Sequence, residues 1–449
     1  MIRVPKPRAA LGIDVGLSGV RAAVLDDGGR LLGSARRPLQ ARLGAGRAEQ
    51  DPSAWLATAL DAGREAAQGH PVDAVAVCAL GPAPILVDEA LEPLTPALLF
   101  SLDRRAEPEP LAVTHDHALP KLLWWRAHEP ALWRRAAWGL DATGFLVAQL
   151  TGVPVQDTIT RVDWEHAREP VPLRLPEPAE PFAVAGGLLE EPAHALGLRA
   201  GTPVTVGTYD TYADVLATGV RAPGDACVLL GSTLVVCSAV AEPVECHGLE
   251  TSAYLGEGVL LGGWTASAGS SLEWFARELG APGDVSSLEP GAGGLLALPY
   301  LAGERTPIWD PDARGVVVGL TLETRRDELY RALVDGIALS ARDHLERLRT
   351  VGAAPDCWRA RGGGVHDEAW LGATCDALGA PLDVVAHAGE AVGPAMLAHR
   401  ATGTDVSLAV ARHVVPDPER ATRFDELYVS YRELYPATVS LVHRLGSRH

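Results

Sequence analysis

Two aspartates stand where an apolar run gives way to a flexible turn. Asp14 interrupts LGIDVGLSGVR (11–21), and Asp210 follows the strand-like start of TPVTVGTYDTYADVLATGV (202–220). A carboxylate at such a junction can accept a proton from a hydroxyl or face a cation. Asp210 precedes a helical pattern, so a helix N-cap is its alternative reading. Asp14 precedes glycines, and its charge is a difficulty beside phosphate. Like unit charges about 4 Å apart repel by roughly 4 kcal/mol at an effective dielectric of about 20. A bridging Mg²⁺ turns the repulsion into attraction, usually through waters that the ion keeps. Arg21 either steadies that carboxylate or a phosphate, or is a solvated strand arginine.

Three glycine-rich turns accompany the aspartates: Gly16-Leu17-Ser18-Gly19, Gly231-Ser232-Thr233 and Gly362-Gly363-Gly364. Glycine lets the backbone approach a phosphate closely, and hydroxyls add donors. None matches GxxxxGK[ST], and none has the dinucleotide-binding setting of GxGxxG. Each alone reads as a plain turn; spread over both halves of the chain, they ask for a joint explanation.

The elements that must hold these residues are legible in outline. RAALGIDV, GVRAAVLDD and RLLGSARR read as consecutive strands, the last two joined by a DGG hairpin signal. A helix starts after Asp51 with Pro52 in its first turn, and VDAVAVCAL (72–80) is a buried strand. Residues 120–150 are helical, with Trp124, Trp125, Trp133 and Trp138 read as core. EPVPLRLPEPAEPF (169–182) reads as a surface loop. Near residue 223 the opening is echoed: PGDACVLLGSTLVVCSAV is again strand, glycine turn, strand. The echo points to two related domains facing each other across a cleft.

Composition narrows the partners. A formal charge of -18 argues against a nucleic-acid binder, while leaving room for a small anion held by backbone N–H groups. With 449 residues, 47% of them hydrophobic, the chain can build two or three domains with large cores. Six cysteines show no CxxC pair or zinc spacing, and read as reduced thiols of a cytoplasmic protein. The basic start MIRVPKPR leads into an apolar stretch broken by Asp14, a poor signal peptide. No run of about 18 apolar residues is present to span a membrane.

The longest specific segment is LPYLAGERTPIWDPDARGVVVGLTLETRRDELYRALVDGIA (298–338). With LGIDVG, KLLWWRAHEPALW (121–133), the Asp210 turn, PGDACVLLGST, RGGGVHDEAWLGATCDALGAPL (361–382) and LYVSYRELYPA (427–437), it resembles the FGGY carbohydrate kinases, and looks closest to their xylulokinase branch. The resemblance spans nearly the whole chain. It implies an α/β protein of the actin-like ATPase class, two ribonuclease H-like domains around a central cleft. Residues 1–222 would form the sugar-binding side, with the first phosphate motif and the catalytic aspartate, and 223–449 the ATP-binding side. It also implies ATP and Mg²⁺ as cofactors, a small sugar or polyol as substrate, a ketopentose such as xylulose first among them, and a homodimer as a common state. Asp14, with Gly16, Ser18 and Arg21, would lie by Mg²⁺ and the transferred phosphate. Asp210 matches the family's general base. Gly231, Ser232 and Thr233 match the second phosphate turn, and Gly362, Gly363 and Gly364 the motif at the adenosine end. Asp103 and Arg105 match a Trp-Asn-Asp-x-Arg element that meets the sugar.

Several positions depart from the family pattern. Leu17 stands where a threonine is usual, so contact there falls to backbone N–H groups and Ser18. CALGPAPILVD (78–88) replaces a Gln-Met-His sugar-contacting segment; Gly81, Pro82, Ala83 and Pro84 offer no side-chain hydrogen bonds. Ser101 and Leu102 replace the first two residues of the Asp103 element, and Tyr209 and Tyr212 flank the base where small or amide residues are usual. Buried sugar hydroxyls need partners, so ribulose, glycerol, erythritol or another polyol stands as an alternative substrate. A nucleotide-binding protein that has lost transfer is a rival reading, opposed by the presence of both Asp14 and Asp210. A heat-shock-type chaperone is another, which would call for a peptide-binding domain after the ATPase.

Overall fold

Strand Ala9–Val15 is buried along its whole length. It pairs antiparallel with Gly19–Asp26, which pairs antiparallel with Leu31–Pro38. The computed structural model describes residues 8–44, 46–100, 102–106, 117–165 and 173–446. Helix Pro52–Ala67 then crosses over to strand Ala74–Ala79, which lies parallel to Ala9–Val15. The helix begins as the sequence predicts, with Asp51 accepting the Ser53 N–H at 2.9 Å and Pro52 at its first position. Pro203–Thr205 adds a further parallel strand, so the sheet runs 184–187, 203–205, 74–79, 9–15, 19–26, 31–38.

The second sheet repeats the scheme. Ala226–Leu230, Leu234–Val240 and Val259–Trp264 form an antiparallel meander; Trp358–Arg361 and Leu382–Val385 extend it in parallel on the other side. The echo read at residue 223 is therefore architectural: each sheet carries three antiparallel strands followed by two parallel ones in the same spatial order. Helix Arg326–Thr350 covers the second sheet with a nearly continuous row of buried residues.

Two compact units result. One comprises residues 1–217 and 390–407, the other 218–389 and 408–449. The chain thus crosses between units three times, where a single boundary at 222 was expected. The returning helix Val392–Ala401 explains the difference, because it packs on the first sheet. A Cβ on Gly12 would lie 2.2 Å from the Ala395 nitrogen, so that strand accepts the helix only as glycine. His399 is buried, its Nε2 2.9 Å from the Leu25 carbonyl oxygen.

The tryptophans of 120–150 pack on core to different depths. Trp125 is buried core, and Trp124, Trp133 and Trp138 are partly buried against core clusters; Trp124 and Trp138 also lie under the guanidinium groups of Arg105 and Arg174 at 5.1 and 5.3 Å. Residues 169–172 of the proline-rich stretch, and Ser101, lie outside the described residues. Among the described residues no helix is long and apolar enough to cross a membrane.

Candidate functional site

The first unit gathers the charged residues. Asp14 is the next-to-last residue of its strand, directly opposite Arg21 on the neighbouring strand, and the two form an ion pair. Asp14 is buried. Asp210 begins helix Asp210–Thr218, and its Oδ1 accepts the N–H of Thr211 at 2.7 Å and the Thr211 hydroxyl at 3.2 Å. A cap would instead satisfy a donor two or three residues on.

Asp210 and Asp14 share one electrostatic site. Desolvation, reinforced by Asp14 and Asp214, pushes the Asp210 carboxyl up to about 7, against the pull of the Thr211 N–H and Arg21. Arg21 is raised chiefly by Asp14, with Asp214 and Asp210 also contributing. The sequence reading missed Asp214, although its i, i+4 spacing from Asp210 puts both on one helix face. Arg21 thus pairs directly with Asp14 and also feels the charges of Asp214 and Asp210.

The Asp210 turn is wired from below. Gly207 has φ +77°, and a Cβ there would stand 2.1 Å from the Val77 carbonyl oxygen. The Thr143 hydroxyl donates to the Thr208 carbonyl at 3.0 Å, and the Thr208 hydroxyl donates to buried Asp157 at 3.2 Å. Tyr209 is buried against Gly81, where a Cβ would fall 2.1 Å from its ring. The GPAP segment and the tyrosine beside Asp210 are thus two halves of one contact.

The first glycine turn shows how Leu17 fits. Its side chain packs on the core of the first unit, and its carbonyl accepts the Gln50 amide at 2.8 Å. The Ser18 carbonyl accepts the Leu39 N–H at 3.0 Å. With both carbonyls tied into the protein, planar trans peptides direct the following N–H groups, those of Ser18 and Gly19, the opposite way. Gly16 and the exposed Ser18 complete the turn.

The second unit brings the other two turns together, although they lie far apart in sequence. Gly362 has φ +102°, and a Cβ there would meet the Leu230 carbonyl oxygen at 2.4 Å; a Cβ on Gly364 would strike the Trp370 ring at 2.3 Å. Gly363 between them is exposed, with open space above it. Ser232 is exposed and Thr233 partly so, and the Gly231 N–H is held by the Thr233 carbonyl at 3.1 Å.

Buried Asp103 pairs with the partly buried Arg105. The Asp103 carboxylate accepts the Ala48 N–H at 2.9 Å and Arg105 Nη2 at 2.7 Å; Arg105 also pairs with Glu49 at 2.8 Å.

The first unit offers an acid–base group titrating near neutrality, electrostatically coupled to a second carboxylate, and each unit carries its own exposed glycine turn. Comparison with known proteins agrees. The models for the N-terminal and C-terminal domains of the FGGY family of carbohydrate kinases match residues 9–111 and 226–402, more than half of the chain. The chain is 27% identical to the xylulose kinase of Bacillus subtilis (strain 168), over 97% of this chain and 98% of that one, and 27% identical to that of Escherichia coli (strain K12), over 96% and 99%. The crystal structure of a xylulose kinase from Rhodospirillum rubrum is 27% identical, with a TM-score of 0.80 over 97% of this chain and all of that one. The shared sheet order, the two domain matches and these full-length likenesses agree, and the chain belongs to the FGGY family of carbohydrate kinases, phosphotransferases that use ATP and an alcohol acceptor.

Proposed function

We propose that the chain transfers the γ-phosphoryl group of ATP to a hydroxyl of a ketopentose, xylulose first among them, with Asp210 as general base. The observation that carries this reading is the Asp210 carboxyl, pushed up to about 7 beside Asp14 and Asp214. Such a group is basic enough to take a hydroxyl proton, yet is substantially ionised at neutral pH. The full-length likeness to xylulose kinases supports the choice of sugar.

Asp210 accepts the proton as the acceptor oxygen attacks, and Arg21 holds Asp14 in a fixed orientation. The outward N–H groups of the Ser18 and Ser232–Thr233 turns offer neutral donors to phosphate oxygens, and the open face of Gly363 admits the adenosine end. A divalent ion fits the carboxylate surplus around Asp14, which would hold it; Mg²⁺ there supplies charge neutralisation for the phosphates. Among the described residues no three acidic, histidine or cysteine side chains are grouped to cage a metal alone.

Asp103 and Arg105 serve the sugar side as a fixed pair that shapes its wall. Tyr209 over Gly81 favours a second reading for the sugar itself, another ketose or a polyol, because its ring covers the segment that lacks polar side chains. All six cysteines are free thiols, which supports a reducing cytoplasm as the compartment.

The test is ADP release from Mg·ATP across ketopentoses, aldoses, tetritols and glycerol, with Asp210→Asn as control. Stimulation by xylulose, lost at least about 10²-fold in the control, supports the reading. Stimulation by another compound alone selects the second, and stimulation that survives in Asp210→Asn removes the base.

A further inference from the structure

The segment Gly303-Glu304-Arg305-Thr306-Pro307 is the most specific feature of the sequence, and the reaction as derived above gives it no task. It lies in the second unit, where three consecutive side chains grip three consecutive backbone groups. Glu304 Oε1 accepts the Ala266 N–H at 2.7 Å, Arg305 Nη2 donates to the Thr265 carbonyl at 2.8 Å, and the Thr306 hydroxyl donates to the Trp264 carbonyl at 3.0 Å. Glu304 and Thr306 are buried at 2% and 0% exposure, so these bonds are shielded from water.

The gripped stretch leads straight to the second glycine turn. The Thr265 N–H donates to the carbonyl of Leu234, just beyond that turn, at 2.9 Å, and the Thr265 hydroxyl accepts the Leu234 N–H at 3.0 Å. The Ala268 N–H donates to the Ser232 carbonyl at 2.8 Å. The Gly269 N–H donates to the Gly231 carbonyl, and the Ser270 N–H to the Ser232 carbonyl, both at 3.1 Å. The Ser270 hydroxyl adds a bond to Ser232 at 3.0 Å. With these carbonyls drawn toward the start of helix Gly269–Leu279, planar peptides aim the Ser232 and Thr233 N–H groups the other way.

We propose that Glu304, with Arg305 and Thr306, is a positioning residue for ATP: it braces residues 264–266 so that the 231–233 turn presents its N–H groups to the phosphates. The proposal rests on the kinase reading and deepens its ATP side. Glu304 is buried, bonds the Ala266 N–H, and acts through the Ala266–Ser270 stretch. Its Oε2 has no hydrogen-bond partner among the described residues, so the brace works through Oε1 alone. Burial pushes the Glu304 carboxyl up to about 8 despite the Ala266 and Arg305 N–H groups. Near neutrality the neutral acid predominates, and glutamine copies its shape and its accepting oxygen.

Calorimetric binding of Mg·ATP is measured first on the wild type, then on Glu304→Ala, Glu304→Gln and Ser270→Ala, with sugar KM and thermal midpoint beside it. The brace predicts that Glu304→Ala weakens ATP binding at least about tenfold with sugar KM unchanged. It also predicts that Glu304→Gln binds ATP as the wild type does, and that Ser270→Ala, which removes one surface bond to Ser232, weakens ATP a fewfold with little change in midpoint. Wild-type ATP binding with unchanged affinity in Glu304→Ala overturns the brace and leaves the kinase standing. An equal shift of sugar KM, or failure of glutamine to restore affinity, makes Glu304 a general stability element and also overturns it. If Glu304→Ala does not fold, Ser270→Ala and the glutamine variant decide by the same readings. A wild type that does not bind ATP overturns the kinase reading itself.

Discussion

The turn after Ala9–Val15 and the turn after Ala226–Leu230 are built alike and charged differently. In each, protein donors hold the turn carbonyls: Gln50 and Leu39 in the first, residues 268–270 in the second. The register slot just before each turn is where they part. Next to last in the first strand is Asp14, opposite Arg21; next to last in the corresponding strand is Leu229, opposite Val235. One slot is an ion pair and the other an apolar pair. A phosphate held throughout the cycle needs donors and no negative neighbour, whereas the phosphate that moves needs charge control and a base close by. The ribonuclease H-like hairpin supplies the cradle twice, and only one copy carries the ionic chemistry.

The largest expected effect breaks the charged copy. Asp210→Asn should lower kcat by about 10²–10⁴ and leave calorimetric ATP affinity near wild type. In the wild type kcat/KM should fall as pH drops below about 7, where Asp210 takes up its proton. Asp14 and Asp214 both raise that carboxyl, so removing a neighbouring negative charge must lower it. Asp214→Asn should therefore move the acid limb to lower pH, and an unmoved limb would detach the limb from this cluster.

Next comes the contrast between the turns themselves. Asp14→Asn should cost on the order of 10² in kcat, because Arg21 loses its cross-strand partner and the transferred phosphate its charge control. Ser232→Ala should cost only a fewfold in ATP KM, since the donors of its turn are backbone groups. Equal losses in the two variants would erase the division of labour.

Much of this was legible in residues and some of it was not. Asp14 and its turn could be read because a charge inside a buried strand violates the apolar pattern, and a violation is a local signal. The echo at residue 223 could be read because two hairpins repeat one pattern. The Val392–Ala401 helix could not be assigned to the first unit, because an apolar helical face does not say which sheet it covers; Gly12 carried the trace of it, and only with Ala395 beside it does that glycine become meaningful. Asp214 was hidden as an ordinary polar residue on an amphipathic helix. The tyrosine at 209 and the glycine at 81 each looked like separate oddities, since no local rule links residues 128 positions apart.

That contact gives an intermediate effect. Gly81→Ala puts a carbon inside the Tyr209 ring, so the ring must move, and Asp210 is the next residue. The substitution should lower kcat about tenfold or more, since displacing a reacting group by about 1 Å can cost 10²-fold. Adding Tyr209→Ala should recover part of the loss by vacating the space. A double variant that shows no recovery would assign the loss to the backbone at Gly81 instead.

The smallest effect is also the one that best separates a ligand's demands from the fold's. In Gly362-Gly363-Gly364 the outer glycines are required by the protein: a side chain would meet the Leu230 carbonyl at 362 and the Trp370 ring at 364. Overpacking of this kind costs about 1–3 kcal/mol, so Gly364→Ala should lower the thermal midpoint, and its ATP affinity should follow that loss of order. At Gly363 a Cβ meets nothing within 4 Å. The protein therefore gives no steric reason for glycine there, and close approach of a bound nucleotide supplies one. Gly363→Ala should leave the midpoint where it is and raise ATP KM a fewfold, with sugar KM untouched. A Gly363→Ala variant that binds ATP like the wild type would mean that the nucleotide does not press on this turn, and the second unit's share of the ATP site would then rest on the 231–233 turn.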